Sequence, residues 1–207
     1  MIHWKPKLAD DDDSNDKQQI ITLSTDGLLN NATPVGNRIY LYDDIDRSLV
    51  LSISKQIDEV TRQLKLLQLI YNMTEPPPIE LHISCDGGEV SPALALVDKI
   101  KTNPIPVYTF CEGAVASAAT LVSVVGKKRF ITKNSNILVH QVSGGAIGKL
   151  EEIKDATENL DLFMTVLKRV YLEHTKFKSK QLNDLLKHDL FLTADQALEF
   201  GVVDVIN

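Results

Sequence analysis

Hydrophobic positions change their period along the chain from about residue 34 onwards. Residues 38–42 are rich in β-branched and aromatic side chains, those of Ile39, Tyr40 and Tyr42, which favours a strand. Apolar residues then recur at helical spacing over 46–72 and predict a long amphipathic helix. Pro76-Pro77-Pro78 would end that helix, because proline removes a backbone donor and clashes with the preceding turn. Residues 79–83 predict the next strand.

Strands and helices continue to alternate over the rest of the chain. Ser91 is predicted to cap the next helix, with Pro92 at its first helical position. Residues 106–111 then predict a strand, Glu112-Gly113 a turn and 116–125 a helix. The remaining predicted elements are short strands at 129–131 and 137–140, a long helix at 149–175, a helix opened by the capping box Thr193–Gln196 and ended at Gly201, and a strand at 202–206. This alternation predicts an α/β fold with parallel strands.

Length and charge limit the classes of protein that fit. A chain of 207 residues accommodates one domain with a substantial core. Residues 1–31 are polar and acidic and predict a mobile tail, whereas residues 32–207 predict a single folded domain. The formal net charge of −6 and the run Asp10 to Asp13 argue against nucleic acid and anionic membranes as main partners, since both favour clustered Lys and Arg.

The sequence predicts neither a membrane span nor a metal site. No segment approaches roughly 18 consecutive apolar residues, and no apolar stretch follows the basic start, so we expect a soluble, cytoplasmic protein. Cys85 and Cys111 lie in separate apolar strands without CxxC or histidine spacing. We expect both cysteines to be reduced core residues and expect no cofactor.

Two glycine-bearing turns after predicted strands have the composition of a functional site: Asp86-Gly87-Gly88 and Gly113 to Ser117. In parallel α/β folds, functional groups collect at the carboxyl ends of strands. Glycines let backbone N–H groups approach a ligand, and a serine at a helix start lies beside unpaired amides. Ser117 is therefore either a nucleophile or a small core serine, and the glycine pair is either an oxyanion site or an ordinary tight turn.

A serine nucleophile needs a histidine base and a carboxylate that orients the base. Among the five histidines, His140 alone ends an apolar strand directly before a glycine-bearing loop. Asp189 lies in a turn flanked by Leu190 and Phe191, where we expect partial burial. Each residue also has a structural interpretation, as a hydrogen-bonded core histidine and a helix-flanking cap, and spacing alone does not decide between them.

Three motifs, in this order along the chain, resemble those of the proteolytic subunit of the Clp protease, a barrel-forming serine peptidase. The segment CEGAVASAA resembles the family's nucleophile motif, which implies Ser117 as the nucleophile. The histidine motif resembles NSNILVHQ and implies His140 as the base. The family's closing segment resembles HDLFLTADQALEFGVVD and implies Asp189 as the third member of the triad. The resemblance extends from about Val35 to the C-terminus.

The resemblance also implies features that the residues alone do not. It implies an oxyanion hole built from the amides of Gly88 and Ala118, with Gly87 as the alternative to Gly88. It implies a spiral of β-β-α units with a protruding handle helix that begins near Lys149. It further implies a strip that aligns the substrate by backbone pairing, made of Val142, Gly144, Gly145 and Ala146.

The resemblance also implies partners: identical subunits in heptameric rings that can stack in pairs, a ring-shaped Clp ATPase, and unfolded polypeptides as substrates. The sequence departs from the family at several positions. Cys85-Asp86 replaces a Ser-Pro pair, and Lys187 and His188 replace an acidic residue and an arginine that bond between stacked rings in many relatives. We therefore predict double rings that are weaker or more dependent on pH. The acidic start does not resemble the family's pore-lining segment. The resemblance therefore does not decide whether this protein docks an ATPase.

Two other classes of protein remain compatible with the sequence. One is an inactive subunit that shapes or regulates a Clp-type barrel. The other is an acyl-CoA-processing enzyme of the crotonase group, which shares the spiral architecture and also binds an oxyanion with backbone amides. Covalent labelling by a fluorophosphonate separates them, because only a serine peptidase would react at Ser117.

Overall fold

The computed structural model describes residues 36–207, so the predicted tail over residues 1–31 lies outside the described part of the chain. The strands are β1 (Arg38–Leu41), β2 (Ile79–Cys85), β3 (Val107–Ala116), β4 (Lys128–Ile131), β5 (Asn136–Leu138), β6 (Phe191–Leu192) and β7 (Val205–Ile206). The helices are α1 (Arg47–Ile70), α2 (Val90–Thr102), α3 (Ala118–Val124), α4 (Leu150–His174), α5 (Ser179–Leu185) and α6 (Ala194–Glu199). None of these described helices combines the length and hydropathy that a membrane crossing needs.

A seven-stranded, mostly parallel sheet carries the fold of the described residues. β1, β2, β3, β4 and β7 lie side by side in that order. β3 is longer than its neighbours, so residues 108–111 pair with β4 and residues 114–116 pair with β5. β6 is the antiparallel partner of β5. This architecture confirms the predicted α/β class.

Helices pack on the sheet through the apolar faces that the sequence predicted. The buried residues of α1 are Val50, Ile53, Ile57, Val60, Thr61 and Leu64. α3 differs from the other helices, because all seven of its residues are buried. Its small and β-branched side chains allow close packing on both sides. Ser117 directly precedes α3, so the predicted nucleophile lies at the edge of the protein interior.

The start of α2 differs from the prediction. The helix begins at Val90 with Glu89 at the cap position, so Ser91 does not cap it and Pro92 does not open it. The reason is a tertiary contact: Glu89 N donates to Ile45 O at 2.7 Å, which fixes the chain before Ser91 is reached. Pro92 is tolerated in this first turn because the first helical N–H groups have no intrahelical partner.

β3 continues where a turn was predicted. Glu112 and Gly113 lie within the strand, not between a strand and a helix. The register of the β2–β3 pair shifts at this point, and Gly113 has a φ of +62°, which glycine adopts without strain. The strand then continues to Ala116 through its pairing with β5. As a result, the predicted turn before Ser117 is a bulged strand.

The C-terminal third of the described chain contains three predicted elements, α4, α6 and β7, and two elements that were not predicted. α4 spans 25 residues as predicted, but its buried residues, Leu167, Val170 and Tyr171, lie in its last third. α5 and β6 follow it in a stretch for which no element was predicted. Both are short and largely exposed, so they lack the periodic apolar pattern that identifies an element.

Arg129 fixes the last strand to the sheet. Its Nε donates to Asp204 Oδ2 at 3.0 Å, and its Nη1 donates to Gly201 O at 2.9 Å. The Arg129 backbone N–H also donates to Asp204 Oδ2 at 3.0 Å. Burial opposes ionisation of Asp204, but the hydrogen bonds and charge of Arg129 outweigh it and lower the pKa of this carboxyl.

We expect Asp204→Asn to lower the urea midpoint at neutral pH and to make its decline in acid less steep. A carboxyl whose pKa is lowered by folding stabilises the native state above its unfolded-state pKa of about 3.9. That contribution is lost as the pH falls through the folded-state value. Urea unfolding between neutral pH and about pH 3 measures both effects. Asp184→Asn, which breaks an exposed pair with Lys187, is the control. An equally steep acid decline in wild type and Asp204→Asn would contradict the assignment.

Candidate active site

Ser117 lies in the break between β3 and α3. Its N–H donates to Leu138 O at 2.9 Å, which continues the parallel pairing of β3 with β5. Its backbone has a φ of 54° and a ψ of −128°. This conformation is strained for a residue with a Cβ and costs about 1–3 kcal/mol. The break leaves Ser117 partly exposed at the carboxyl end of β3.

Strand pairing brings His140 and Asp189 to the same edge of the sheet. Leu138 pairs with Phe191 in the antiparallel β5–β6 ladder. Continuing that ladder by two residues on each strand places His140 opposite Asp189. His140 Nδ1 lies 3.3 Å from Asp189 Oδ1. The structure therefore brings two of the predicted site residues into contact and places both beside the strand end that carries Ser117.

The geometry of these three residues is looser than that of an aligned triad. Charge-assisted N–H···O⁻ hydrogen bonds measure about 2.7–2.9 Å, whereas the His140–Asp189 distance is 3.3 Å. Among residues 36–207, no hydrogen bond joins Ser117 Oγ to His140. The Asp189 side chain is 78% exposed, so the expected partial burial is wrong. The reason is that Leu190 and Phe191, the apolar neighbours, are themselves 65% and 52% exposed.

The glycine pair lies against Ser117 on one side and against Ile45 on the other. A Cβ placed on Gly87 would lie 2.7 Å from Ser117 Cβ and 3.2 Å from Ala118 N. A Cβ placed on Gly88 would lie 2.3 Å from Ile45 O. Both glycines also have positive φ values, 120° and 134°, that residues with a side chain rarely adopt. The turn therefore requires glycine at both positions.

Two backbone amides near Ser117, those of Gly88 and Ala118, have no hydrogen-bond partner within the part of the chain that the structure describes. Ala118 is the first residue of α3, where helical N–H groups lack an intrahelical acceptor. The Gly87 amide, in contrast, donates to Cys85 Sγ at 3.3 Å. Gly88 and Ala118 are thus the amides that can donate to a ligand beside Ser117, and Gly87 is the poorer candidate.

The predicted substrate strip is an irregular, mostly exposed segment between β5 and α4. Val142 N donates to Met164 Sδ at 3.2 Å, so this amide already has a weak acceptor. Gly144 lies against Leu160, whereas a Cβ on Gly145 would meet nothing within 4 Å. Gly145 and Ala146 have no backbone partner among the described residues. Unpaired backbone groups of this kind are what strand addition requires.

Neither cysteine is a rival to Ser117. Cys85 Sγ donates to Asp43 O at 3.1 Å, and burial raises the pKa of its thiol. Burial raises the pKa of the Cys111 thiol to about 12. Because the thiolate is the nucleophilic form, both are unreactive core residues, as predicted. No group of three or more His, Cys, Asp or Glu side chains within residues 36–207 could hold a metal ion.

Two residues that the sequence analysis did not single out lie beneath Ser117. Thr120 Oγ1 donates to Ser117 O at 2.6 Å, and the Tyr171 hydroxyl of α4 forms a hydrogen bond with Thr120 Oγ1. Both side chains are fully buried. The signal available in the sequence was the pair of hydroxyl residues, Thr120 and Ser123, inside an otherwise apolar helix.

Comparison with known proteins identifies the family to which the chain belongs. The family model described as Clp protease matches residues 35–207, and the chain therefore belongs to the Clp protease family. Among solved structures, the chain is similar to a ClpP1 mutant from Listeria monocytogenes, with a TM-score of 0.70 and 23% sequence identity. The match covers 88% of this chain and 95% of that chain. This likeness shows that the chain has the ClpP fold.

We expect Gly87→Ala to destabilise the protein. The added Cβ would lie 2.7 Å from Ser117 Cβ, and the φ of 120° is unfavourable for alanine. The strain corresponds to about 1–3 kcal/mol of unfolding free energy. Urea unfolding measures it, with Gly145→Ala as the matched control because the space around Gly145 is open. Equal midpoints for wild type and Gly87→Ala would show that the turn does not pack as described.

Proposed function

We propose that this chain is a serine endopeptidase whose catalytic triad is Ser117, His140 and Asp189. The observation that carries the proposal is the contact between His140 and Asp189 beside the strand end that carries Ser117. The amides of Gly88 and Ala118, which have no partner among residues 36–207, and membership of the Clp protease family support it. Family membership also argues against the crotonase alternative. Each residue has a structural role available to it alone, but those separate roles do not account for their proximity.

In the proposed mechanism, Asp189 accepts the Nδ1–H of His140 and leaves Nε2 with its lone pair. Nε2 takes the hydroxyl proton of Ser117 as Oγ attacks the peptide carbonyl, whose electrons move to the oxygen. The amides of Gly88 and Ala118 donate to that oxyanion. His140 then protonates the leaving amine, and water hydrolyses the acyl-enzyme by the same sequence of proton transfers. The loose His140–Asp189 distance shortens when substrate binds, as catalytic hydrogen bonds often do.

The proposed substrates are unfolded polypeptides. An extended peptide would pair with the exposed backbone of Gly145 and Ala146. Such pairing uses hydrogen bonds to the main chain of the substrate, so it selects little among substrate side chains. By analogy with the family, the active sites would face a chamber formed by a ring of identical subunits, and a ring-shaped Clp ATPase would supply unfolded chains. We expect the assembled enzyme, without ATP and an ATPase partner, to cleave short peptides and to leave stable folded proteins intact.

Fluorophosphonate labelling tests the proposed function most directly. The assembled protein is treated with the reagent, its intact mass is measured, and the adduct is located by peptide mapping. A single adduct on Ser117 is expected, since the proposed base and oxyanion hole activate this hydroxyl alone. Absence of an adduct in folded, assembled protein would favour an inactive subunit. An adduct on another serine would contradict the triad assignment.

We propose that the subunits form heptameric rings and that rings stack through α4. Its first turn exposes Leu150 and Ile153, which lie three residues apart on one face and suit an apolar contact with a second copy of the helix. Lys187 pairs within its own chain, with Asp184 Oδ1 at 3.2 Å from its Nζ. The stacking contact would then depend on apolar and backbone groups and not on the acidic residue and arginine that bond between stacked rings in many relatives.

We expect double rings to dissociate more readily in mild acid than at neutral pH. Histidine side chains gain charge in that range, and the family resemblance implies that residue 188 lies at the contact between stacked rings. Sedimentation between about pH 5.5 and 8 measures ring stacking across the titration range of histidine. His188→Ala should remove most of the pH dependence. Double rings that are unchanged over this range in both wild type and His188→Ala would contradict the expectation.

A further inference from the structure

A chain of buried hydrogen bonds runs from α4 to the backbone of Ser117. Ser117 O accepts from Thr120 Oγ1 at 2.6 Å and from Thr120 N at 3.0 Å. Thr120 Oγ1 in turn forms a hydrogen bond with the hydroxyl of Tyr171. The side chains of Thr120 and Tyr171 are both 0% exposed, so water does not compete for these groups.

The direction of each hydrogen bond follows from the protons available. A carbonyl oxygen only accepts, so the single hydroxyl proton of Thr120 goes to Ser117 O. Thr120 Oγ1 must then accept the proton of Tyr171. Burial raises the pKa of Tyr171, so the phenol remains a donor under ordinary assay conditions. The order is therefore Tyr171 O–H to Thr120 O–H to Ser117 O, and each bond polarises the next.

The carbonyl of Ser117 and the amide of Ala118 belong to one peptide group. That group is planar and trans, so its C=O and N–H point in opposite directions within one plane. Two hydrogen bonds to Ser117 O therefore also fix the direction of the Ala118 N–H. The plane adjoins the strained backbone of Ser117, with its φ of 54° and ψ of −128°, which would rotate the plane if it relaxed.

We propose that Thr120 and Tyr171 are positioning residues that aim the Ala118 amide at the oxyanion, and that Tyr171 acts only through Thr120. The inference rests on the proposed serine peptidase function. It matters for catalysis because a donor stabilises the transition state best when it is already oriented before reaction. It also couples α4, which carries Tyr171, to the active site.

Substitutions that remove hydroxyl groups and keep side-chain shape test the proposal. Thr120→Val removes the hydroxyl of Thr120, Tyr171→Phe removes that of Tyr171, and Thr120→Ser restores a hydroxyl at residue 120. Thr109→Val is the matched control. Thr109 is also 0% exposed, and its Oγ1 donates to a carbonyl of the same helix, Ser123 O, at 2.7 Å. This control therefore loses a comparable buried hydrogen bond without touching the Ser117–Ala118 peptide.

The full-length assembled variants are compared by hydrolysis of a short peptide and by the rate of fluorophosphonate labelling. Removing an oxyanion donor outright costs about 10²–10³ in kcat. Because the Ala118 amide is loosened and not lost, we expect Thr120→Val to lower kcat and the labelling rate about tenfold, with KM changed less than about twofold. Tyr171→Phe should cause a smaller loss, and Thr120→Ser should recover most of the activity. Thr109→Val should keep wild-type kcat even where its unfolding midpoint falls.

A double-mutant cycle tests the claim that Tyr171 acts through Thr120. Tyr171→Phe should have no further effect on kcat in a Thr120→Val background, and additive effects would overturn this claim. Wild-type kcat in Thr120→Val, or an equal loss in Thr109→Val, would overturn the positioning role. Tyr171→Phe keeps the aromatic ring and supplies the test if Thr120→Val does not fold. Failure of wild type to label at Ser117 would instead overturn the proposed function, so the two failures are distinguishable.

Discussion

Ser117→Ala is expected to abolish peptide cleavage and fluorophosphonate labelling, and His140→Ala is expected to be equally severe. Without the hydroxyl there is no nucleophile, and without the imidazole nothing takes its proton. In a triad that acts as a unit, loss of either group lowers kcat by about 10⁶. Steady-state hydrolysis of a short fluorogenic peptide measures the loss, and the double variant should be no slower than either single variant.

The fold should survive Ser117→Ala, which makes the result specific to chemistry. Alanine also carries a Cβ, so the strained backbone of residue 117 is unchanged. The control is Ser123→Ala in α3, the helix that follows Ser117, where a buried hydroxyl that donates to Thr120 O at 3.0 Å is removed. This control should lose stability and keep activity. Loss of assembly or of the cooperative unfolding transition in Ser117→Ala would support a structural serine instead.

Asp189→Asn is expected to lower kcat by about 10⁴, as in serine proteases whose triad aspartate is replaced by asparagine. The asparagine amide can donate to His140 Nδ1, which then keeps its lone pair. The ring proton moves to Nε2, and Nε2 can no longer accept the proton of Ser117. Peptide hydrolysis under saturating substrate measures kcat. Asp184→Asn removes a nearby exposed carboxylate, and turnover should remain normal in this control.

Stability and turnover separate the two interpretations of Asp189. The side chain is 78% exposed, and exposed ion pairs contribute only about 0–1 kcal/mol to folding. A triad aspartate should therefore lose turnover and keep its unfolding midpoint when it is replaced by asparagine. A lower midpoint with near-normal turnover would identify Asp189 as a helix-flanking cap and reject the triad assignment.

Long periodic segments were predictable from the sequence because burial imposes their pattern. The helix expected over 46–72 is α1, Arg47–Ile70, and the helix expected over 149–175 is α4, Leu150–His174. Local signals at element ends were less reliable. Glu112-Gly113 has the composition of a turn, but pairing with β5 keeps the chain in strand β3. A serine before a proline favours a helix start, but the contact with Ile45 begins α2 earlier.

The positions of the candidate site residues were predictable where they depend on strand ends and unpredictable where they depend on long-range contacts. Ser117 and His140 follow adjacent parallel strands, a placement that the alternation of strands and helices already favours. The exposure of Asp189 depends on how the side chains of Leu190 and Phe191 pack, and the local sequence does not determine that packing. The hydrogen bond between Thr120 and Tyr171 spans 51 positions of the chain, so no local pattern encodes it.

The strained backbone at Ser117 also has an evolutionary consequence. Glycine adopts a φ of 54° freely. Replacing Ser117 by glycine would relieve about 1–3 kcal/mol of strain, against about 0.5–1 kcal/mol for the extra freedom of glycine in the unfolded chain. Where residue 117 is encoded by a serine codon that becomes a glycine codon by one base change, a stabilising mutation is within reach. Under the proposed function, purifying selection on the hydroxyl must oppose this change, and in a lineage that no longer needed the reaction, Ser117 would be among the first residues to drift.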